Sequence, residues 1–392
     1  MMDSEVSVLL HCAAWRGLLE SQVQVELSER FNRQTDPTLE RQIEEVWTER
    51  VSKEPWLFNG SKFRLHSFCL ASPTWASSPS VSPRRHNPIL DHAEDQEGEL
   101  HSRLVRDTTR SKTNGPVNQT EHKDSVIGST LSQASSTCDC RGSQDITAEL
   151  PSRSDRNTDG RESGPLLTLR LGLTCYKDYL GTNWSCRVAE LHGRGEVEFS
   201  DSAALLAQPL GVGGVLCTDD GQVVLIRRSQ RVAEAGGLLD IPGGHPEPKV
   251  VCERLGQAVS DEQIRVSMMQ QRAVVSELFL SVCAEIRDEV NIPLSSLGAP
   301  VLMGVALNHT SAGRPSAEFY VSCSLTSDEI RKLYWKGGAE ASESTDIVFL
   351  NRTEVLQLDS SSPLWSELCP SAKGAVLLYQ TVKPDGERDP SR

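Results

Sequence analysis

Cys283-Ala-Glu-Ile-Arg-Asp-Glu-Val-Asn-Ile292 is an amphipathic helical stretch that places Glu285 and Glu289 one turn apart on one face, with Asp288 beside them. Residues at i and i+4 project the same way from a helix. Carboxylates held so close repel each other, and a cation between them is a reason for a helix to carry both. Oxygen-only ligands suit a hard ion such as Mg²⁺, which binds through one or two carboxylates and completes its shell with water and substrate phosphates. A solvated acidic face is the commoner fate of such a cluster in an acidic chain. The helix alone leaves both readings open. Upstream, Asp240-Ile-Pro-Gly-Gly-His-Pro-Glu247 adds a second signal, a turn whose glycines allow close backbone approach.

Together the two segments resemble the ends of a Nudix box, G-x5-E-x7-R-E-U-x-E-E-x-G-U with U a bulky aliphatic. Pro242-Gly243-Gly244 with Glu247 is similar to the opening turn, and Glu285-Ile286-Arg287-Asp288-Glu289 with Ile292 is similar to the closing helix. The departures are large. Gly244 and Glu285 stand 41 positions apart, far more than the pattern allows. Ala284 takes the arginine position, Asp288 that of a glutamate and Asn291 that of the glycine, and Glu277 misses the register of the first helical glutamate by one. The turn's own block runs from Ala235 to Glu247, and four further blocks extend the likeness: Trp56 to His66, Leu180-Gly-Thr-Asn-Trp184, Thr310-Ser-Ala-Gly-Arg314 and Leu368-Cys-Pro-Ser-Ala-Lys-Gly374. In this order they resemble the animal Nudix hydrolases that cleave UDP-glucose.

That resemblance implies a Nudix α/β/α sandwich with a mixed sheet, of the α/β class, and an N-terminal α+β domain carrying a long disordered insertion. It implies Mg²⁺-dependent hydrolysis of UDP-glucose, and of UDP-galactose, to UMP and the sugar 1-phosphate. Two other readings stand beside it: hydrolysis of another nucleoside diphosphate derivative, and a non-catalytic UDP-sugar binding protein.

Bulk properties narrow the classes. A net charge of −14 and a pI of 5.2 argue against nucleic acid or an anionic membrane held by a broad basic surface. The eleven cysteines are scattered without a C-x-x-C pair, which fits reduced thiols in a cytoplasmic or nuclear protein. No uncharged apolar run reaches membrane-spanning length. A soluble intracellular protein is expected, its oligomeric state open.

Composition divides the chain. Residues 6–10 alternate toward a strand, Thr38 to Ser52 reads as a helix, and Phe63 to Leu70 as a strand. Residues 73–163 are polar and serine-rich, too poor in apolar surface to offset ordering entropy. An insertion without order is expected there, its ends close together in space. Residues 1–72 and 164–208 are assigned to an N-terminal domain, 209–382 to the hydrolase domain and 383–392 to a disordered tail. Asp219-Asp220-Gly221 signals a hairpin turn into the strand Gln222 to Arg228. Val250 to Gln271 is expected to form a helical or irregular lid, and Ala273 to Val290 the metal-bearing helix.

Site candidates follow. Glu285 and Glu289 are the expected metal ligands and catalytic carboxylates. Glu247 is a catalytic and substrate-binding candidate, and one choice of general base; Glu340 and Glu343 are others. Of Arg227 and Arg228 only one can face the site, since strand neighbours alternate. Arg228 is preferred for the diphosphate. Asp240 and His245 stand where sugar hydroxyls can be bonded, with Ala233 lining the preceding loop. By resemblance, Phe58 and Tyr176 cover the uridine. Ser371 is a hydroxyl donor or a plain helix cap. Asn183 and Arg314 are reserve candidates.

Overall fold

Val6–His11 alternates buried and exposed side chains and forms the first strand, β1. Val23–Leu27 (β2) follows after two short turns of 3-10 helix. Helix α1, Pro37–Lys53, starts where its sequence says it should. Asp36 caps it by accepting the N–H groups of Thr38 and Leu39, each at 2.9 Å, and Pro37 fills the first helical position. Ser61–Leu70 is β3 and Leu167–Cys175 is β4. This computed structural model describes residues 3–71, 166–232 and 234–386, so the expected insertion at 73–163 lies outside the described residues. Its flanks do meet: Leu70 pairs with Leu167, and Ala71 N–H donates to Leu166 O at 2.7 Å.

After α2 (Tyr176–Gly181) and α3 (Val188–Phe199), the second half opens with β5 (Gly211–Cys217) and β6 (Gln222–Arg228). Gly221, with φ +76°, supplies the left-handed residue that the hairpin between them requires. Two short strands carry the glycine turn, β7 (Leu239–Asp240) and β8 (Gly243–Gly244). Then come α4 (Pro248–Arg254), α5 (Gln271–Val290), β9 (Val301–Asn308), β10 (Arg314–Ser322), α6 (Ser327–Tyr334), β11 (Ser344–Asn351), α7 (Arg352–Gln357) and α8 (Pro370–Val382). Asn291 ends α5 in the left-handed conformation, φ 63°. Asparagine is the usual second choice to glycine there, so this departure from the family pattern keeps the same helix stop.

The main sheet runs β1-β9-β10-β5-β6-β11, with β7 on β6 and β8 on β5. Its β10–β5 pair is parallel and its other pairs antiparallel, a mixed sheet. A three-stranded sheet, β2-β4-β3, stands apart. Helix α8 covers one face of the main sheet, with Ala372, Ala375, Leu378 and Tyr379 buried against it. Helix α5 lies on the other face, its Val282 and Ile286 against Gly214, and also packs on β2. The layers thus read helix, sheet, helix, small sheet.

Four expectations need correction. β1 was assigned to the N-terminal domain, yet it is the edge strand of the main sheet, pairing Val6 with Asn308. One apolar cluster also runs from Val25, Phe63 and Leu169 of the small sheet through α5 to Val212 and Leu216, so no boundary falls at 208/209. The stretch Val250 to Gln271 is no lid. It buries Val251, Cys252, Ile264 and Met269 in that cluster and lines neither cavity of the cleft. The tail begins later than 383, because Asp385 accepts the Tyr379 hydroxyl at 2.8 Å and pairs with Arg352 at 3.0 Å.

Candidate active site

Tight packing on two sides dictates the glycine turn. A β-carbon on Gly243 would overlap the Val212 carbonyl of β5, and one on Gly244 would overlap the Glu285 carboxylate. The turn is tied to α5 at both ends. Gly243 donates its N–H to Glu289 Oε2 at 2.9 Å, and Glu247 donates its N–H to Glu277 Oε1 at 3.1 Å. Glu277 also pairs with Arg254 of α4 at 2.7 Å. The 41-residue interval thus brings an arginine and a glutamate together behind the turn, although Ala284 removed the arginine expected in the helix.

Glu285 and Glu289 face the turn side by side. Burial pushes the Glu285 carboxyl up to about 7, with Glu340, Glu343 and Asp288 adding repulsion and Lys62 opposing it. Glu289 is only 4% exposed and is driven well above the usual range, first by burial and then by Glu285. These buried acids have more negative neighbours than positive ones, an arrangement a cation relieves. Among the described residues no group of three or more His, Cys, Asp or Glu converges as a ready-made metal cage. An ion that draws on one or two carboxylates and on substrate phosphates does not need one. The donors present fit such an ion.

The cleft has two adjoining cavities, of about 350 Å³ and about 230 Å³, which share Trp184, Arg228, Glu234, His245 and Arg314. Arg228 ends β6 and donates to Asp240 Oδ2 at 2.9 Å and to Glu234 O at 3.1 Å. Asp240, also buried, accepts the Ser371 hydroxyl at 3.5 Å. Burial, with Arg314 and Lys62 nearby, holds His245 well below its ordinary value, so it is neutral at pH 7. Across the cleft, Glu234 takes Arg314 at 2.9 Å, the Ser311 hydroxyl at 3.2 Å and the Tyr179 hydroxyl. The Tyr179 and Trp184 rings lie 5.3 Å apart. Tyr176 lines the smaller cavity beside them.

The sequence-based candidates separate on this geometry. Arg228, Asp240, His245, Ser371, Arg314 and Glu343 line the larger cavity, and Tyr176 the smaller. Glu247 stands at the rim, paired with Lys62 of β3 at 2.9 Å and lining neither cavity. Phe58 does not cover the cleft: it is 72% exposed, because the loop before β3 turns its ring outward. Ala233 lies outside the described residues. Asn183 is buried in the frame, donating to Ser311 O at 3.1 Å. Arg227 faces away and pairs with Glu367, as strand alternation requires. Asp288 is drawn to Arg287. Glu340 is near enough to raise Glu285. Sequence reasoning assigned no role to Glu234, Tyr179, Lys62 or Trp184. Lys62 and Trp184 both stood in quoted blocks, where the cationic and the aromatic type were the available signals.

No family model matches the chain. It is 39% identical over 382 residues to the human protein named uridine diphosphate glucose pyrophosphatase NUDT22, covering 97% of this chain and 94% of that one. The mouse protein of the same name is 39% identical over 383 residues, covering 98% and 93%. Nudix hydrolase 9 of Arabidopsis thaliana is 27% identical over 362 residues, covering 92% and 87%. Among solved structures, a MutT protein from Methanosarcina mazei Go1 aligns at 13% identity and a TM-score of 0.27, covering 45% of this chain and 95% of that one. A likeness that slight supports no conclusion.

Proposed function

The chain belongs to the Nudix hydrolase family, and on that premise we propose that it is a Mg²⁺-dependent UDP-sugar diphosphatase. Its substrate is UDP-glucose, with UDP-galactose as the close alternative, and its products are UMP and the hexose 1-phosphate. One observation carries the reading: the buried pair Glu285 and Glu289 meets the Gly243-Gly244 turn beside a cleft lined by Arg228 and Arg314. The activity printed in the relatives' names supports the substrate.

Glu285 and Glu289 would hold the ion. When bound, Mg²⁺ supplies charge neutralisation on the diphosphate and a Lewis acid at phosphorus. The chain's own groups do the rest. Arg228 and Arg314 suit diphosphate oxygens through their planar donor forks. Water forms the new P–O bond, the bridging P–O bond breaks, and its electron pair leaves with the departing phosphate. Attack at either phosphorus gives the same two products. Glu340 and Glu343 are the base candidates. Glu343 lines the cleft, and burial raises the Glu340 carboxyl above its ordinary value. The nine cysteines among the described residues are all unpaired, which supports a reducing compartment, cytoplasm or nucleus. Among the described residues no helix is long and apolar enough to cross a membrane.

Phosphorus NMR of UDP-glucose with the protein and Mg²⁺, beside a matched sample in EDTA, tests the proposal. UMP and glucose 1-phosphate should appear only with metal. The Glu285→Gln variant should keep the fold by circular dichroism and lose turnover by more than about a hundredfold. An unchanged spectrum with folded wild-type protein overturns the reaction. Near wild-type turnover in the variant overturns the assigned role of Glu285.

A further inference from the structure

Glu318 sits in the middle of β10, 0% exposed, and neither carboxyl oxygen has a hydrogen-bond partner of acceptable geometry among the described residues. A buried polar group left unpaired is costly, so such a group calls for an explanation. The sheet has been cleared around it. Glu318 lies opposite Gly213 on β5 and Gly304 on β9. A β-carbon on Gly213 would overlap Glu318 Oε2 and stand 2.6 Å from Ile241 Cδ1, so the carboxyl fills the space where a side chain would otherwise be. The β9–β10 register also shifts between Glu318 and Phe319. Such bulges re-aim side chains and gather beside functional sites.

Strand alternation says where the carboxyl points. Arg314, Ser316 and Glu318 share one face of β10, and the first two line the larger cavity. Gly211, Gly213 and Ile241, also on that cavity's wall, lie against the same face. Glu318 is therefore the next rung down, directly beneath the wall.

We propose that Glu318 is a specificity-determining residue, whose carboxyl hydrogen-bonds a hydroxyl of the substrate's hexosyl group beneath the wall formed by Gly213 and Ile241. This rests on the nucleotide-sugar reading above and assigns the sugar its place. The two cavities differ in a way that divides the substrate between them. The smaller one gathers Tyr176, Tyr179 and Trp184, flat surfaces suited to a base. The larger one is lined by Asp240, Asn308, Ser311, Ser316 and Ser371, hydroxyl, amide and carboxyl groups suited to a polyol. Burial pushes the Glu318 carboxyl up to about 8, so at pH 7 it carries both a donor and an acceptor. A sugar hydroxyl needs both. Contact requires the flexible end of Ile241 to turn aside, a side-chain rotation of ordinary cost.

Titration calorimetry of the full-length protein with UDP-glucose and with UDP, in EDTA so that nothing turns over, tests this. Wild type, Glu318→Gln and Glu318→Leu are compared. In Glu318→Leu, UDP-glucose affinity should fall roughly tenfold, the value of a hydrogen bond lost to a buried polar partner. UDP affinity should stay within about twofold. Glu318→Gln keeps a donor and an acceptor and should hold most of the UDP-glucose affinity. Glu318→Leu should melt at least as high as wild type, which shows that it folds. Unchanged UDP-glucose affinity in Glu318→Leu overturns the inference, as does an equal loss for both ligands, which marks a role in the frame alone. If wild type binds neither ligand in EDTA or with Ca²⁺ in its place, the nucleotide-sugar reading itself fails.

Discussion

Glu289 and Glu277, twelve residues apart on α5, hold the two ends of a single turn by accepting the backbone N–H groups of Gly243 and Glu247. One helix thus fixes the turn at which the two candidate metal ligands gather. Glu277→Ala should leave the Glu247 N–H and Arg254 without their acceptor, at a cost of about 1–3 kcal/mol and several degrees of melting temperature. Turnover should fall as the turn loosens, and Glu277→Gln, which still accepts the N–H, should restore most of it. Thermal melts and kcat of the two variants check this. Equal loss in both would assign the effect to the charge and not to the turn.

Gly244 has no room for a side chain on the Glu285 side. Gly244→Ala should push that carboxylate out of position while the strand pairing of Val212 with Gly244 survives. A misplacement of about 1 Å is enough to cost on the order of a hundredfold in rate. A crystal structure or circular dichroism would show the intact fold beside the lost kcat. Full activity in the variant would mean that Glu285 acts from another position.

Stability should depend on pH through Glu318. Its carboxyl is raised from 4.5 to about 8 in the fold. Between those values the folded state keeps a proton that the unfolded chain has released. Its contribution is therefore present below about 4.5, declines as pH rises to about 8, and stays flat above. The total is on the order of a few kcal/mol. Urea denaturation of wild type and Glu318→Leu at pH 5, 7 and 9 should show the difference between them growing in favour of the variant up to pH 8. Parallel pH curves would sink the assignment.

Phe58 stands clear of the body of the protein, so Phe58→Ala should change stability by no more than about 0.5 kcal/mol. If the ring serves the uridine, as the resemblance implies, it does so only after closing over bound substrate. KM for UDP-glucose should then rise severalfold with kcat little changed. An unaltered KM would remove Phe58 from the site.

Local signals were legible where local physics decides. The apolar run of β6, the Gly221 turn and the α5 face that carries Glu285 and Glu289 all follow from residue type and spacing. Long-range choices were not. Nothing in Val6–His11 says that its partner is β9, and nothing in the interval after Glu247 says that Arg254 will meet Glu277. Glu234 is an acid in a loop until Tyr179, Ser311 and Arg314 converge on it from three other segments. Phe58 is a different case. An aromatic residue near a joint can cover a ligand or stand in water, and spacing does not distinguish the two.

The pairing of β1 with β9 also sets a timetable. Val6 leaves the ribosome first and must wait for Asn308, roughly 300 residues later. At about 5–20 residues per second that is on the order of 15–60 s of synthesis during which an apolar strand has no partner. The sheet closes at that edge only when nearly four-fifths of the chain has emerged. Slow translation or an N-terminal fusion that engages β1 should therefore lower the yield of folded protein more than its final stability would suggest.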